Sequence, residues 1–418
     1  MRLRGAPMKI ALLAAGEPDE IRLCLALALG LRHLGHRTVL AAPEQAAAWI
    51  GKYPVVYYPL PGSGEPGPGL TGDGPIGRLE EHALRLALLL VCRDCDAVLC
   101  PPSLLFEAGV ISEALRIPFL FVQTSPLLPA TFADPNFAVS RILGRHSLRL
   151  FRRRDERRRI PGVNAWRARL GLKPLAGSYC RRIGALKVPV LHAYSPTLAP
   201  PPADWGEHHG VSGAVWLDGR LVPREAAEPL SDAFARWLAQ GSVPVYIEAD
   251  CLPAPDARRI DMAVDLAARL RARAVIAVDR GFAGQPEQPL KGDVWLTRRA
   301  DPRPVLAGCG LAVHRGDPCT THAAAEAGTP VLVCSGTAEQ AFWGKRIERL
   351  RIGRHLPVLR ATTARLAREI REMTADGTTR TRAAALGGAI RGEKGLLRAL
   401  EWIERQLPDA PVFTNEPL

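Results

Sequence analysis

No run of about 18 apolar residues occurs in the chain, so nothing in it reads as a membrane-spanning helix. Zinc-ligand spacing is missing too. The nine cysteines are scattered, and the one tight pair, Cys92 and Cys95 in CRDC, sits in an apolar stretch ending DAVLC without the further ligands that a structural zinc needs. Cysteine usage of this kind fits a reduced, cytoplasmic setting. The opening MRLRGAPMKIALLAAG lacks a small-residue cleavage pattern. It reads as a short basic extension before a second start at Met8, running directly into a strand. What is present is ordinary for a globular protein: 47% hydrophobic and 23% charged residues, which excludes a disordered chain. The 418 residues suffice for two cores, because single domains usually run about 100–200 residues. The formal net charge of +13 permits nucleic acid, anionic lipid or an anionic substrate as partner and selects none of them.

Strands and helices alternate along the chain. KIALLAA (9–15) is a short apolar run, EIRLCLALALGLRHLGH an amphipathic helix ending at Gly35-His36, and RTVLAAP a second strand. This is the βαβ unit of a parallel sheet. DAVLCPP (96–102) and PFLFVQTSP (118–126) add strands, with FEAGVISEALRI as the helix between them. The same grammar restarts after residue 240: VPVYIEA, RAVIAVD, CGLAVH and TPVLVCS as strands, DARRIDMAVDLAARLRA and CTTHAAAEAG as helices. The stretch between, from Ser195 to Ser231, is rich in proline and glycine and reads as linker. The pattern predicts an α/β protein of two doubly wound domains, with ligands beyond the carboxyl ends of strands and the chemistry between the domains.

VHRGDPCTTHAAAEAGTP (313–330) is the stretch with most chemical content. LAVH reads as a strand ending at His314, RGDPC as a turn, and Thr320 and Thr321 as the opening of a helix that stops at Gly328. A helix amino terminus offers unpaired N–H groups and about half a positive charge, which favours phosphate. Threonine supplies a cap or a hydroxyl donor, and His314 reaches the same anion. The plainer alternative is a capped helix beside a buried or surface histidine.

VHRGDPCTTHAAAEAGTPVLVCSGTAEQAFWGKRIERLRIG resembles the donor-binding signature of GT-B glycosyltransferases, in the group that holds bacterial natural-product and sterol glucosyltransferases. AYSPTLAPPPADWGEHHGVSGAVWLD, TSPLLPATFADPN and LALALGLRHLGHRTVLAAP resemble that group's interdomain segment, acceptor-side segment and first helix with second strand. The resemblance covers nearly all of the chain from Met8. It implies the GT-B fold, two Rossmann-like domains facing across a cleft. The expected division is an acceptor-binding domain over 1–215, a linker over 216–240, a nucleotide-sugar domain over 241–395, and a helix and tail over 396–418 whose return to the first domain is left open.

Residue by residue, the resemblance implies that His314 contacts the diphosphate of a nucleotide-sugar and that Gly316 lets the backbone approach. Thr320 and Thr321 present donors, and Glu339 and Gln340 face hydroxyls of the donor sugar. The base for an inverting transfer comes from GEPDEIRL (16–23): Glu20 by register, Asp19 as the alternative. The plain reading of both is a carboxylate favouring the helix dipole. No metal and no cofactor are implied, since histidine and a helix amino terminus stabilise a leaving diphosphate. The partners implied are a nucleotide diphosphate-sugar and a hydrophobic natural-product or lipid-like acceptor.

The chain departs from the group at several places. Arg315 replaces a second histidine, Asp317 a second glycine, and Pro318 and Cys319 an Ala-Gly pair. Pro318 removes an N–H, Asp317 adds negative charge, and Arg315 is a bidentate phosphate partner. The glycine-rich turn that opens the second domain is IEADC (247–251), which brings in Glu248 and Asp250. A catalytically impaired relative that acts as a binding subunit is therefore carried beside the enzyme. A sugar-nucleotide epimerase shares the fold but not the resemblance in the interdomain and acceptor segments. Finally, residues 141–160 hold nine arginines against Asp155 and Glu156, with apolar residues at roughly helical spacing. They read as a basic helix on an anionic membrane surface or, more plainly, as a solvated face. No recognition motif points to nucleic acid.

Overall fold

The computed structural model describes residues 6–14, 18–61, 75–126, 145–175, 178–203, 205–223, 226, 229–278, 287–291, 293–298 and 301–415. Two compact units emerge: Met1–Pro196 with Pro201–Ala227 and Lys394–Leu418, and Thr197–Pro200 with Glu228–Glu393.

The first unit is built on a seven-stranded sheet, all parallel, in the order β3-β2-β1-β4-β5-β6-β7. Its strands are β1 (Lys9–Leu13), β2 (Arg37–Pro43), β3 (Val56–Leu60), β4 (Ala97–Cys100), β5 (Phe119–Gln123), β6 (Val190–His192) and β7 (His209–Val211). The central strands β1, β4 and β5 read as nearly unbroken apolar runs because both faces are covered. Along β1, Ala11 and Leu13 enter one core layer, and Ile10 and Leu12 the other. The helix Pro18–His33 carries Asp19 and Glu20 in its first turn and Arg32 and His33 in its last, as the helix dipole favours. The second layer is completed from the far end of the chain. The helix Gly395–Gln406 lays Ala399, Leu400, Trp402 and Ile403 into it, and a Cβ on Gly30 would stand 2.7 Å from Leu400. Glu404 accepts from buried His36, whose other ring nitrogen takes the Met8 N–H.

The second unit holds another seven-stranded sheet, in the order β10-β11-β9-β8-β12-β13-β14. Its strands are β8 (Val245–Glu248), β9 (Ala274–Ala277), β10 (Glu287–Pro289), β11 (Val294–Thr297), β12 (Leu311–His314), β13 (Val331–Ser335) and β14 (Gly353–Pro357). All pairs are parallel except β10 with β11. The doubly wound expectation holds in both units.

Some stretches differ from the sequence reading. The proline- and glycine-rich stretch carries β7, the seventh strand of the first sheet, and the span 216–240 contains the helix Asp232–Ala239. In the arginine-rich run, residues 141–144 lie outside the described residues, and Arg145–Arg169 is one helix. Its carboxyl-terminal half does not present an apolar face to solvent. Ile160, Val163 and Trp166 pack on the first unit's core, Arg159 sits 4.7 Å over the Phe106 ring, and Arg167 holds Glu113 with two bonds of 2.8 and 3.1 Å. Arg157 and Arg158 remain exposed. Among the described residues, no helix is long and apolar enough to cross a membrane.

Trp402 fixes the carboxyl-terminal helix to the first unit. Trp402→Ala is expected to lower the stability of that unit by about 3–5 kcal/mol, read as an earlier unfolding transition in chemical denaturation with the second unit's transition unmoved.

Candidate functional site

In the second sheet the chain starts at β8, winds outward through β9, then returns to place β12 on the other side of β8. That reversal is the topological switch point, where open α/β sheets leave a crevice beyond the carboxyl ends of their strands. Ile247 pairs with Val313 in register, so the next residues, Glu248 and His314, end the two central strands side by side.

The chain leaves His314 through Arg315, Gly316 and Asp317 into the helix Pro318–Ala327. The helix is capped by Asp317, not by Thr320, and begins two residues earlier than the threonines suggested. Asp317 has extended backbone angles, and its carboxylate accepts the Thr320 N–H at 2.9 Å. Aspartate is among the best residues there, and Pro318 takes the first helical position, where its ring is pre-set for the helix. Thr321 returns its hydroxyl to the Asp317 carbonyl at 2.6 Å. Gly316 is required by its backbone, with φ +91°, and by crowding: a Cβ would lie 2.6 Å from Val333 and 3.0 Å from the Gln340 carbonyl.

His314 is wholly buried. Its Nδ1 accepts the Gly316 N–H at 3.0 Å, and Nε2 has no hydrogen-bond partner among the described residues. Burial pushes the ring down to about 4, so it is neutral at physiological pH. An Nδ1 that accepts leaves the ring proton on Nε2. The atom without a partner is therefore an N–H donor, suited to an anion.

Glu248 closes the other side. One carboxyl oxygen accepts the Arg315 N–H at 2.9 Å, and the other takes the Thr320 hydroxyl at 3.2 Å. Burial, and then the charge of Asp317, push this carboxyl up to about 8. Glu248, His314 and Asp317 each bring one possible metal-ligand atom within 4.8 Å of the others. The histidine does not fit a cation: Nδ1 is engaged by Gly316, and Nε2 carries the proton. Two carboxylates remain, fewer than the ligands that hard divalent ions usually collect.

The Arg315 side chain is partly exposed and lies 3.7 Å from the Asp317 carboxylate. Gln340 is used locally. Its side-chain oxygen accepts the N–H groups of Gly336 and Thr337, and Thr337 accepts the Gln340 N–H in return, a capping box on the helix Ala338–Leu350. Glu339 stands in the first turn of that helix, partly buried. Trp343, from the same motif, is core: it is fully buried, with the His322 ring edge-on at 4.8 Å.

In the first unit, Asp19 and Glu20 open the helix after β1, also at a strand's carboxyl end. Asp19 is held by Arg22 at 2.9 Å. Glu20 is half-buried, and its charge bears on the Cys24 thiol, which burial pushes far up. The sequence named Glu248 as added acid but not as the hydrogen-bond partner of Arg315 and Thr320. The signal was an acidic residue ending a central strand. Asp250, its neighbour, turns away to Arg259 at 3.5 Å.

Gly316→Ala is expected to cost at least the ~1–3 kcal/mol of a left-handed non-glycine residue. The measurement is chemical denaturation of the second unit, where Gly336→Ala, whose added Cβ finds only ordinary contacts, serves as the control.

No protein-family model matches the chain. A sterol 3-beta-glucosyltransferase of Aspergillus fumigatus is 26% identical over 98% of this chain and 30% of its own length. One from Arabidopsis thaliana is 26% identical over 99% of this chain and 68% of its own. The chain thus spans under a third of the fungal relative. Among solved structures, the glycosyltransferase of kitacinnamycin superposes with a TM-score of 0.68 at 18% identity, covering 97% of this chain and 100% of that one. The glycosyltransferase VinC in complex with dTDP gives 0.60 at 16%, covering 94% and 100%. The chain therefore has the GT-B fold and resembles, along nearly its whole length, the sterol and natural-product glycosyltransferases.

Proposed function

We propose that the protein is a glycosyltransferase that moves a sugar from a nucleotide diphosphate-sugar to a hydroxyl of a sterol-like or other hydrophobic acceptor. The carrying observation is the buried His314 Nε2–H, unpartnered at the switch point of a sheet whose whole fold is that of GT-B enzymes. In this reading, Nε2–H and the amino terminus of the helix Pro318–Ala327 take the charge that grows on the leaving diphosphate. Glu20 removes the proton of the acceptor hydroxyl, whose oxygen bonds to the anomeric carbon as the carbon–oxygen bond to the diphosphate breaks. That single displacement inverts the anomeric centre. Glu20 is preferred to Asp19 by its register with the base of the group that the sequence resembles. No metal enters the scheme. The lipid-like acceptor suits an anionic membrane surface nearby, and the exposed Arg157 and Arg158 would meet it.

His314→Ala is expected to lower nucleoside diphosphate release from UDP-glucose or dTDP-glucose, with sterol in detergent micelles, by about 10²–10³-fold, with the unfolding transition retained. Unchanged release would remove His314 from the mechanism. Glu20→Gln is expected to lose transfer while the affinity for nucleoside diphosphate stays, whereas transfer kept in Glu20→Gln and lost in Asp19→Asn would return the assignment to Asp19.

A second reading, a relative that binds but does not turn over, is favoured by one observation. Asp317 and Glu248 already engage the Thr320 N–H, the Thr320 hydroxyl and the Arg315 N–H. Nucleotide binding without release of diphosphate under any acceptor would support it.

A further inference from the structure

An anion bound beyond β12 would look for the turn's N–H groups, the first N–H groups of the following helix, and nearby hydroxyls. In this chain the Arg315 N–H and the Thr320 hydroxyl both end on the Glu248 carboxyl, and the Thr320 N–H ends on Asp317. Asp317 is the helix's own cap and sits where any capped helix has such a residue. Glu248 comes from a different strand, 67 residues before Arg315 in sequence, and nothing in the local fold of β8 requires an acid there. The buried His314 donor, with no partner among the described residues, lies in the same cluster.

We propose that Glu248 gates this site: its carboxyl stands in for an anion on the Arg315 N–H and the Thr320 hydroxyl, and a diphosphate enters only by displacing it. The proposal deepens the donor-site reading and rests on it. Glu248 is here a specificity-determining residue, not a catalytic one. It favours ligands that can compete for those donors and penalises any anion while the carboxyl is ionised.

The groups that face Glu248 define the pH response. From the turn and helix after β12 these are His314, Arg315, Asp317 and Thr320; from its own strand and the turn that follows, Tyr246, Asp250 and Cys251. Burial keeps His314 neutral and holds the Tyr246 hydroxyl far above its usual range, while a hydrogen bond with Cys334, and then burial, do the same for the Cys251 thiol. Between about pH 7.5 and pH 9, where the diphosphate of UDP or dTDP stays ionised, the Glu248 carboxyl, pushed up to about 8 by burial and then by the charge of Asp317, changes charge. The sign follows: as pH rises through its titration, the neutral carboxyl becomes an anion beside an incoming anion, and binding weakens.

The test is calorimetric titration of the full chain with UDP and dTDP across that range. Wild type is expected to lose about tenfold in affinity from the low to the high end. Glu248→Gln should flatten the profile, and Glu248→Gly should bind UDP or dTDP at least about tenfold more tightly than wild type at the high end. If Glu248→Gly fails to fold, the flattened profile of Glu248→Gln decides. Wild-type binding that is independent of pH, with neither variant tighter, overturns the gate and leaves the donor-site reading standing. No binding of any diphosphate by wild type or variant overturns both.

Discussion

The carboxyl of Glu248 joins the end of β8 to the turn after β12, and the chemistry of the second unit depends on that link. Two central strands of a parallel sheet end together at the switch point, and their last residues, Glu248 and His314, both accept an N–H from the turn after β12. Only His314 also keeps a buried N–H that has no partner among the described residues. The turn between them is narrow because Gly316 adopts φ +91° and lies against Val333 and Gln340. The site proposed to receive a charged group is thus framed by a neutral donor on one side and a titratable acceptor on the other.

The same few residues explain why the altered motif is self-consistent. Asp317 replaces a flexible glycine but caps the helix, Pro318 occupies the one helical position that suits it, and Thr321 bonds back to Asp317. Each substitution is satisfied locally. Their shared consequence is a helix amino terminus with less free donor capacity. In the proposed function, anion binding draws on His314, on Arg315, and on displacement of the internal carboxyl.

Much of the fold was legible because parallel strands with both faces covered read as short apolar runs, and helices between them as amphipathic stretches. RTVLAAP was read at its observed bounds, Arg37–Pro43. What escaped was whatever depends on distant partners. β7 is three residues long and exists only as an edge added to β6. The helix Gly395–Gln406 was expected, with its return to the first unit left open, and it does return, through Leu400 and Trp402 against residues near the chain's start. Within the candidate site, His314 and Gly316 were legible from the motif. The cap was misassigned to Thr320, because threonine and aspartate are both good caps and only backbone angles separate them. Glu248 was visible as an oddity, yet its partners lie in another strand's loop, which no local pattern reveals.

The central claim is that the crevice ending β8 and β12 receives a diphosphate. Amide hydrogen exchange across residues 314–321, with and without saturating UDP or dTDP, tests it most directly. The account predicts slowed exchange at Arg315 and along the first turn of the helix Pro318–Ala327, with the helix Gly395–Gln406 unchanged. Protection that falls elsewhere, while 314–321 exchanges at the same rate with nucleotide bound, would contradict it.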